Sequence, residues 1–323
     1  MHGRFVISAM AATVCLFSAA LAQDDSYPAH SVRLIVSSLP GGNPDVLGRL
    51  LADRMSNDFG KSFVVENVTG AGGALSAIAA AKASPDGYTL YLGDTGIMAI
   101  NPLLNPDVGY DPMKDFTPIT GLVGLPTILA ANPKVQASTL SEFIALAKQE
   151  PGKITYGSAG IGSIHHMTMA IFAERVGIDV LHVPYRAGTA MVNGLLTGEI
   201  ELYFGNASKL LQQASGGRVR LRAVSSAERL PQLPDVPTVA EFYPGFLVTS
   251  WNGFLAPAGT PQPIVRLLAQ ETRDAAKDPA IADRLLKLGI EPSGAGPDEF
   301  AEVIRAEREF YRAAAKAAGI KID

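Results

Sequence analysis

The stretch Val32-Arg33-Leu34-Ile35-Val36-Ser37-Ser38-Leu39-Pro40-Gly41-Gly42-Asn43-Pro44-Asp45-Val46-Leu47 decides the fold. It opens as an apolar strand, passes a proline-glycine corner and continues as an amphipathic helix in which Val46, Leu47, Leu50, Leu51 and Met55 recur at helical spacing. Asn43 reads as the N-cap and Pro44 as the first helical residue, so the N–H groups of the first turn are expected to face the end of the strand and form an anion-binding corner. Gly41 and Gly42 lack a Cβ and would let a ligand approach the backbone. One such corner is an ordinary βα turn. Its weight depends on repetition.

The corner recurs three times. Val64-Val65-Glu66-Asn67 leads through Gly70-Ala71-Gly72-Gly73 into an alanine-rich helix, and Ile154-Thr155-Tyr156 leads through Gly157-Ser158-Ala159-Gly160-Ile161-Gly162-Ser163 into a helix carrying Met167, Ile171 and Val176. Val180-Leu181-His182-Val183 leads through Pro184-Tyr185-Arg186-Ala187-Gly188 into another. Four glycine-bearing loops at strand carboxyl ends imply a crevice lined by backbone donors and small hydroxyls, where open α/β sheets hold ligands.

Met1 to Ala22 reads as a signal peptide: Arg4 is the positive n-region, Phe5 to Leu21 the apolar run, and Ala20-Leu21-Ala22 the cleavage site, so the mature chain is expected to begin at Gln23 in the periplasm. The only cysteine, Cys15, falls inside that segment, which leaves the mature protein without a thiol for disulfides, nucleophilic catalysis or thiolate metal binding. Losing Arg4 and no acid takes the net charge from −4 to −5, which argues against a nucleic-acid partner.

Strands alternate with helices from Val32 to about Leu92 and again from Ile128 to about Val224, which predicts an α/β protein with two parallel-sheet lobes. Three helices are expected in the tail, over 261–276, 279–288 and 298–318, with no strand of their own and packed back on the first lobe. The chain would cross between lobes near Val123 and near Trp251, giving lobe one as residues 23–123 plus 252–323 and lobe two as 124–251, with a hinge and a ligand cleft between them.

The motifs match a known family in order along nearly the whole mature chain. Pro40-Gly41-Gly42 with Asp45, Glu66-Asn67 before Gly70-Ala71-Gly72-Gly73, Pro85-Asp86-Gly87-Tyr88-Thr89-Leu90, Asn101-Pro102 and Tyr110-Asp111-Pro112 resemble the Bug-type solute receptors of tripartite tricarboxylate transporters. So do Gly157 through Ser163, Val183-Pro184-Tyr185-Arg186, Asp235-Val236-Pro237-Thr238 and Trp251 through Pro261. The resemblance implies a periplasmic binding protein of the type II fold, a monomer without cofactor, that closes over a small carboxylate and delivers it to membrane permease subunits. Carried over, it points to Pro40, Gly41, Gly42 and Asp45 in lobe one, Ser158, Gly160, Gly162 and Ser163 in lobe two, and Thr95, Tyr185 and Asn206 around the rim. His166 aligns with the family's histidine after the second glycine-rich loop, whereas His165 stands at a normally small position.

Competing readings are weaker. Adjacent His165 and His166 point apart on a helix start and lack metal spacing with a carboxylate, so no metal is expected. Ser158 as the nucleophile of an exported α/β hydrolase is the alternative function, but Tyr156 stands where a nucleophile elbow needs glycine. Gly160-Ile161-Gly162 lacks the third glycine of a dinucleotide fingerprint. Asp45 reads either as a dipole-complementing residue or as a contact to a ligand donor, and Arg186 either as a surface arginine or as a source of ligand charge.

Overall fold

The structure is a computed structural model that describes residues 27–185, 188–287 and 291–320. The expected signal sequence, its cleavage site and Cys15 lie outside the described residues, as do Arg186 and Ala187.

The first half is a parallel βα unit. β1 (Val32–Val36) pairs with β2 (Phe63–Asn67) and β3 (Thr89–Asp94), with α1 (Asn43–Phe59) and α2 (Ala74–Ala81) as crossovers. Gly42, one residue before the expected cap, is the N-cap of α1; Pro44 sits in its first turn, and Gly60 ends it at φ 64. Leu47, Leu51 and Met55 meet Val32, Leu34 and Val36 in the core, as their spacing requires. After β3 the chain makes a π-helical turn (Gly96–Ile100) and a short α3 (Asn101–Leu104).

Then comes β4 (Phe116–Ala131), 16 residues long, on which the molecule is organised. Residues 116–126 pair antiparallel with β9 (Thr249–Pro257), which joins them to β3. From Thr127 onward the same strand pairs with β7 (Leu202–Asn206), and from Ile128 with β8 (Arg220–Val224). The second half is a further parallel unit, β5 (Thr155–Ser158) between β6 (Leu181–Pro184) and β7. It is served by α4 (Leu140–Gln149), α5 (Ile164–Val176), α6 (Gly188–Thr197) and α7 (Ala207–Ser215). The sheet path is β2-β1-β3-β9-β4-β7-β5-β6.

The switch of partners falls between Pro126 and Thr127. Proline lacks the N–H that a ladder needs, and the groups around it are satisfied locally. Ser225 Oγ accepts from Thr127 N at 2.9 Å and donates to the Val248 carbonyl at 2.6 Å, while Ser225 N donates to the Thr127 carbonyl at 2.9 Å.

The tail departs from expectation in two respects. Its helices α8 (Gln262–Lys277), α9 (Pro279–Lys287) and α10 (Pro297–Ala317) are present, but between them β10 (Glu291–Ala295) pairs antiparallel with β4. The run between α9 and α10 is too short and glycine-proline-rich to announce a strand; the edge offered by β4 supplies the pairing. And α10 does not stay on the first lobe. Phe300 and Ile304 enter the first core with Tyr91 and Trp251, whereas Tyr311 and Ala315 enter the second with Phe143, Met169 and Phe172.

α10 is fastened where β9 passes between the two cores. Trp251 Nε1 donates to Glu307 at 2.6 Å, Trp251 N donates to Thr95 Oγ1 at 3.0 Å, and the Tyr311 hydroxyl donates to the Thr249 carbonyl at 3.3 Å. Burial pushes the Glu307 carboxyl up to about 7, against the downward pull of hydrogen bonds from Trp251 and Thr95. A carboxyl held above its ordinary value of 4.5 binds its proton more tightly in the folded state. Its contribution to stability is therefore complete below that value and is lost as pH rises through 7. In Glu307→Gln this dependence disappears, so the melting temperature of the variant should gain on wild type between about pH 5 and about pH 7.5. Trp251, the sole tryptophan, should lose its fluorescence titration over the same interval. A wild-type-to-variant difference that stays constant with pH contradicts the assignment.

Candidate ligand-binding cleft

The carboxyl ends of the parallel strands carry the loops singled out from the sequence. Leu39-Pro40-Gly41-Gly42 is a turn closed by Gly42 N donating to the Leu39 carbonyl at 3.0 Å, with proline second and Gly41 third at φ 80, as a type II turn requires. The turn is locked from below by Asp45, whose side chain is 3 % exposed. Asp45 accepts from Gly41 N at 2.8 Å, from Asn67 Nδ2 at 2.9 Å and from Arg49 at 2.9 Å, and its own N–H donates to Ser38 Oγ at 3.1 Å. Burial alone would raise the Asp45 carboxyl, but the hydrogen bonds from Arg49, Gly41 and Asn67 reverse this and hold it below the usual range. The donors expected to face a ligand at this corner are thus spent inside it: Gly41, Gly42 and Asp45 all donate within the loop. Of the three, only the Gly41 N–H goes to the buried Asp45 carboxylate, where it helps to offset the lost hydration; the Gly42 N–H closes the turn on Leu39 and the Asp45 N–H is taken by Ser38.

The second-lobe loop is built differently. Ser158 is fully buried; its hydroxyl lies 2.6 Å from His182 Nε2 and accepts from Gly160 N at 3.0 Å. Ser163 Oγ donates to the Gly160 carbonyl at 2.7 Å and caps α5 by accepting from His166 N at 3.3 Å. These bonds fix the turn while leaving the N–H groups of Ile161 and Gly162 without an acceptor among the described residues. Gly162 has φ 80, and a Cβ there would lie 3.1 Å from Leu104, so this loop abuts α3.

The side chains of Thr95, Tyr185 and His166 turn inward. Thr95 is fully buried, and its hydroxyl accepts from Trp251 N beside the α10 fastening. Tyr185 turns its ring inward over Gly157 and Gly194, where a Cβ on Gly194 would lie 2.4 Å from the phenol oxygen. His166, 8 % exposed, packs with His182 at 4.7 Å between ring centroids and lines a cavity of about 380 Å³ bordered by α5 and the end of α10, away from Gly41 and Gly42. Asn206 has an open side chain. It ends β7 half-buried, and its amide makes no hydrogen bond among the described residues.

The sequence of tripartite tricarboxylate transporter family receptors matches residues 47–319. The chain belongs to that family. Among solved structures of like shape, Rpa4515 of R. palustris with adipate is 33 % identical, with TM-score 0.86 over 91 % of this chain and 98 % of that one. The periplasmic binding protein BugD is 32 % identical, with TM-score 0.83 over 91 % and 99 %. MatC from Rhodopseudomonas palustris with bound malate is 30 % identical, with TM-score 0.81 over 89 % and 99 %. The two halves about β4 and β9 are accordingly the lobes of a periplasmic-binding-protein fold, and this receptor-family chain is a solute-binding protein.

Two features of this tripartite-transporter receptor were not expected from its sequence. The Ser158–His182 contact has the atoms of a nucleophile-base pair, yet Ser158 is sealed from solvent and no carboxylate orients His182 among the described residues; its neighbours are the rings of Tyr156 and His166. The pair is a fastening for the loop. Asp94, at the end of β3, accepts from Ile97 N at 3.0 Å and from Ser37 Oγ at 3.4 Å, and burial pushes its carboxyl up. An aspartate after a strand in Gly-Asp-Thr-Gly was the available signal.

Asp45→Ala should lower stability by about 1–3 kcal/mol, because it strands the Gly41 N–H and removes one of the two acceptors of the Asn67 amide. Since its partners hold the Asp45 carboxyl below 3.8, that contribution is complete above this value and lost on acidification. Wild type and variant should therefore converge in acid denaturation. Equal stability at neutral pH would show that the turn holds without its buried carboxylate.

Proposed function

We propose that the protein is exported to the periplasm with Gln23 as its first residue, captures a small carboxylate as a monomer and delivers it to the permease subunits of a tripartite tricarboxylate transporter, without enzymatic turnover. The lobes are residues 23–123 plus 252–323 and 124–251, and closure pivots on the strands β4 and β9. The observation that carries the reading is the pair of open N–H groups at Ile161 and Gly162 on a glycine loop that abuts α3. Backbone donors in a water-poor cleft bind a carboxylate without a fixed counter-ion. Adipate in Rpa4515 and malate in MatC support the ligand class. Ser158, Gly160 and Ser163 shape this wall, Asn206 is the side chain free to donate, and Pro40, Gly41 and Gly42 form the facing wall, which Asp45 holds in shape.

Thermal shift against mono-, di- and tricarboxylates should single out one or a few that raise the melting temperature, since a ligand at about 100 times its Kd adds about 2.7 kcal/mol. Gly162→Val should abolish calorimetric binding, and at φ 80 even alanine is strained there, so Gly162→Ala should also weaken it. Gly41→Val, also at positive φ, should displace the turn from Asp45. Native-like affinity in Gly162→Val, or a response to sugars with none to carboxylates, would reject the reading.

A further inference from the structure

Lys209 stands in the first turn of α7, just past the carboxyl end of β7. β7 and β5 are parallel neighbours, so the N-terminus of α7 and that of α5 emerge side by side at the same end of the second sheet. That end carries the Gly160–Ser163 loop. His165, in the first turn of α5, stacks on Tyr203 at 5.3 Å between ring centroids and feels the Lys209 charge directly. A lysine on a helix surface keeps its ammonium in water or finds an acid. Lys209 is half-buried, burial pulls its ammonium down, and among the described residues no carboxylate pairs with it. Its position opposes the helix dipole, which favours cations at the other end. The neighbouring His165 is no counter-ion either: burial, then the Lys209 charge, push its imidazole down to about 4, and its Nδ1 is buried with no partner.

A half-desolvated cation and two helix N-termini together form a local excess of positive potential that no carboxylate offsets among the described residues, beside an imidazole nitrogen with no hydrogen-bond partner. We infer that Lys209, with His165 beside it, is a specificity-determining residue of the cleft that recognises a second anionic group on the ligand and selects dicarboxylates over monocarboxylates of the same skeleton. The inference rests on the receptor reading above. It assigns one carboxylate to the Ile161–Gly162 donors and the other to Lys209.

Lys209→Met keeps the aliphatic stem and removes the charge; Lys209→Arg keeps the charge. Calorimetric titration of wild type and both variants with dicarboxylates and their monocarboxylate counterparts, adipate against hexanoate among them, reads the selectivity. In Lys209→Met the Kd for dicarboxylates should rise about tenfold or more while that for monocarboxylates barely moves, and the salt dependence of dicarboxylate binding should shrink. Lys209→Arg should retain most of the preference. Unliganded Lys209→Met should melt no lower than wild type, because an uncompensated desolvated charge has been removed. A merely structural lysine would weaken both ligand classes by the same factor or lower the unliganded melting temperature with the ratio intact, and either result overturns the inference. Sulfate separates it from the receptor reading. Lys209-dependent sulfate binding without carboxylate binding would reject the carboxylate receptor and keep the anion site, whereas no binding of any anion would reject both.

Discussion

The structure depends on one strand serving two sheets. β4 is long enough to pair with β9 and β10 through its first part and with β7 and β8 through its last, and the exchange falls at Pro126, where a ladder bond is missing in any case. Every buried backbone group near such an exchange has to find a partner off the ladder. Ser225 and Thr127, both fully buried, supply those partners through short hydroxyl and amide bonds. The crossing is thus a point where few backbone bonds run along the strand and several side-chain bonds run across it. A small rotation of one half against the other can be absorbed there without breaking either ladder.

α10 restrains that rotation, since one end of it is packed in each core and its middle is bonded to Trp251. The restraint is conditional, because a carboxylate and a carboxylic acid at Glu307 differ in what they accept and donate. The two halves are therefore joined twice, by the shared strand β4 and by a helix packed in both cores.

The alternation of strands and glycine corners made both βα halves legible in the sequence, and Val46, Leu47 and Leu51 placed α1 against its strands. The long β4 was hidden: Phe116 to Ala131 includes Pro118, Gly121, Gly124 and Pro126, which read as breakers, and only the flanking strands β9 and β10 make a strand of it. At the site, the glycine loops were legible because glycine marks backbone geometry. The direction of each N–H was not, because Asp45 could equally have left the Gly41 amide free. The direction of Thr95 and Tyr185 was hidden for a related reason: a residue at the end of a strand reads the same whether its side chain turns toward the crevice or back into the core, and Trp251 and Gly194, which receive these two, are distant in sequence.

The two walls of the cleft consequently divide their labour. The first-lobe turn spends its donors internally, on the Asp45 carboxylate, the Leu39 carbonyl and the Ser38 hydroxyl. The second-lobe loop spends hydroxyls on its own fixation and keeps amides open, at the same sheet end as Lys209, with which no carboxylate pairs among the described residues. Fully internal satisfaction of both loops would make a more stable protein that binds nothing, since a carboxylate would find no unpaired donor to offset its lost hydration. On the proposed assignment, leaving the unsatisfied groups on one lobe means that the ligand's charge is held on that side and that closure adds shape and excludes water. On that division, changes to the second lobe alter which anion is held, and changes to the first alter which skeleton fits around it.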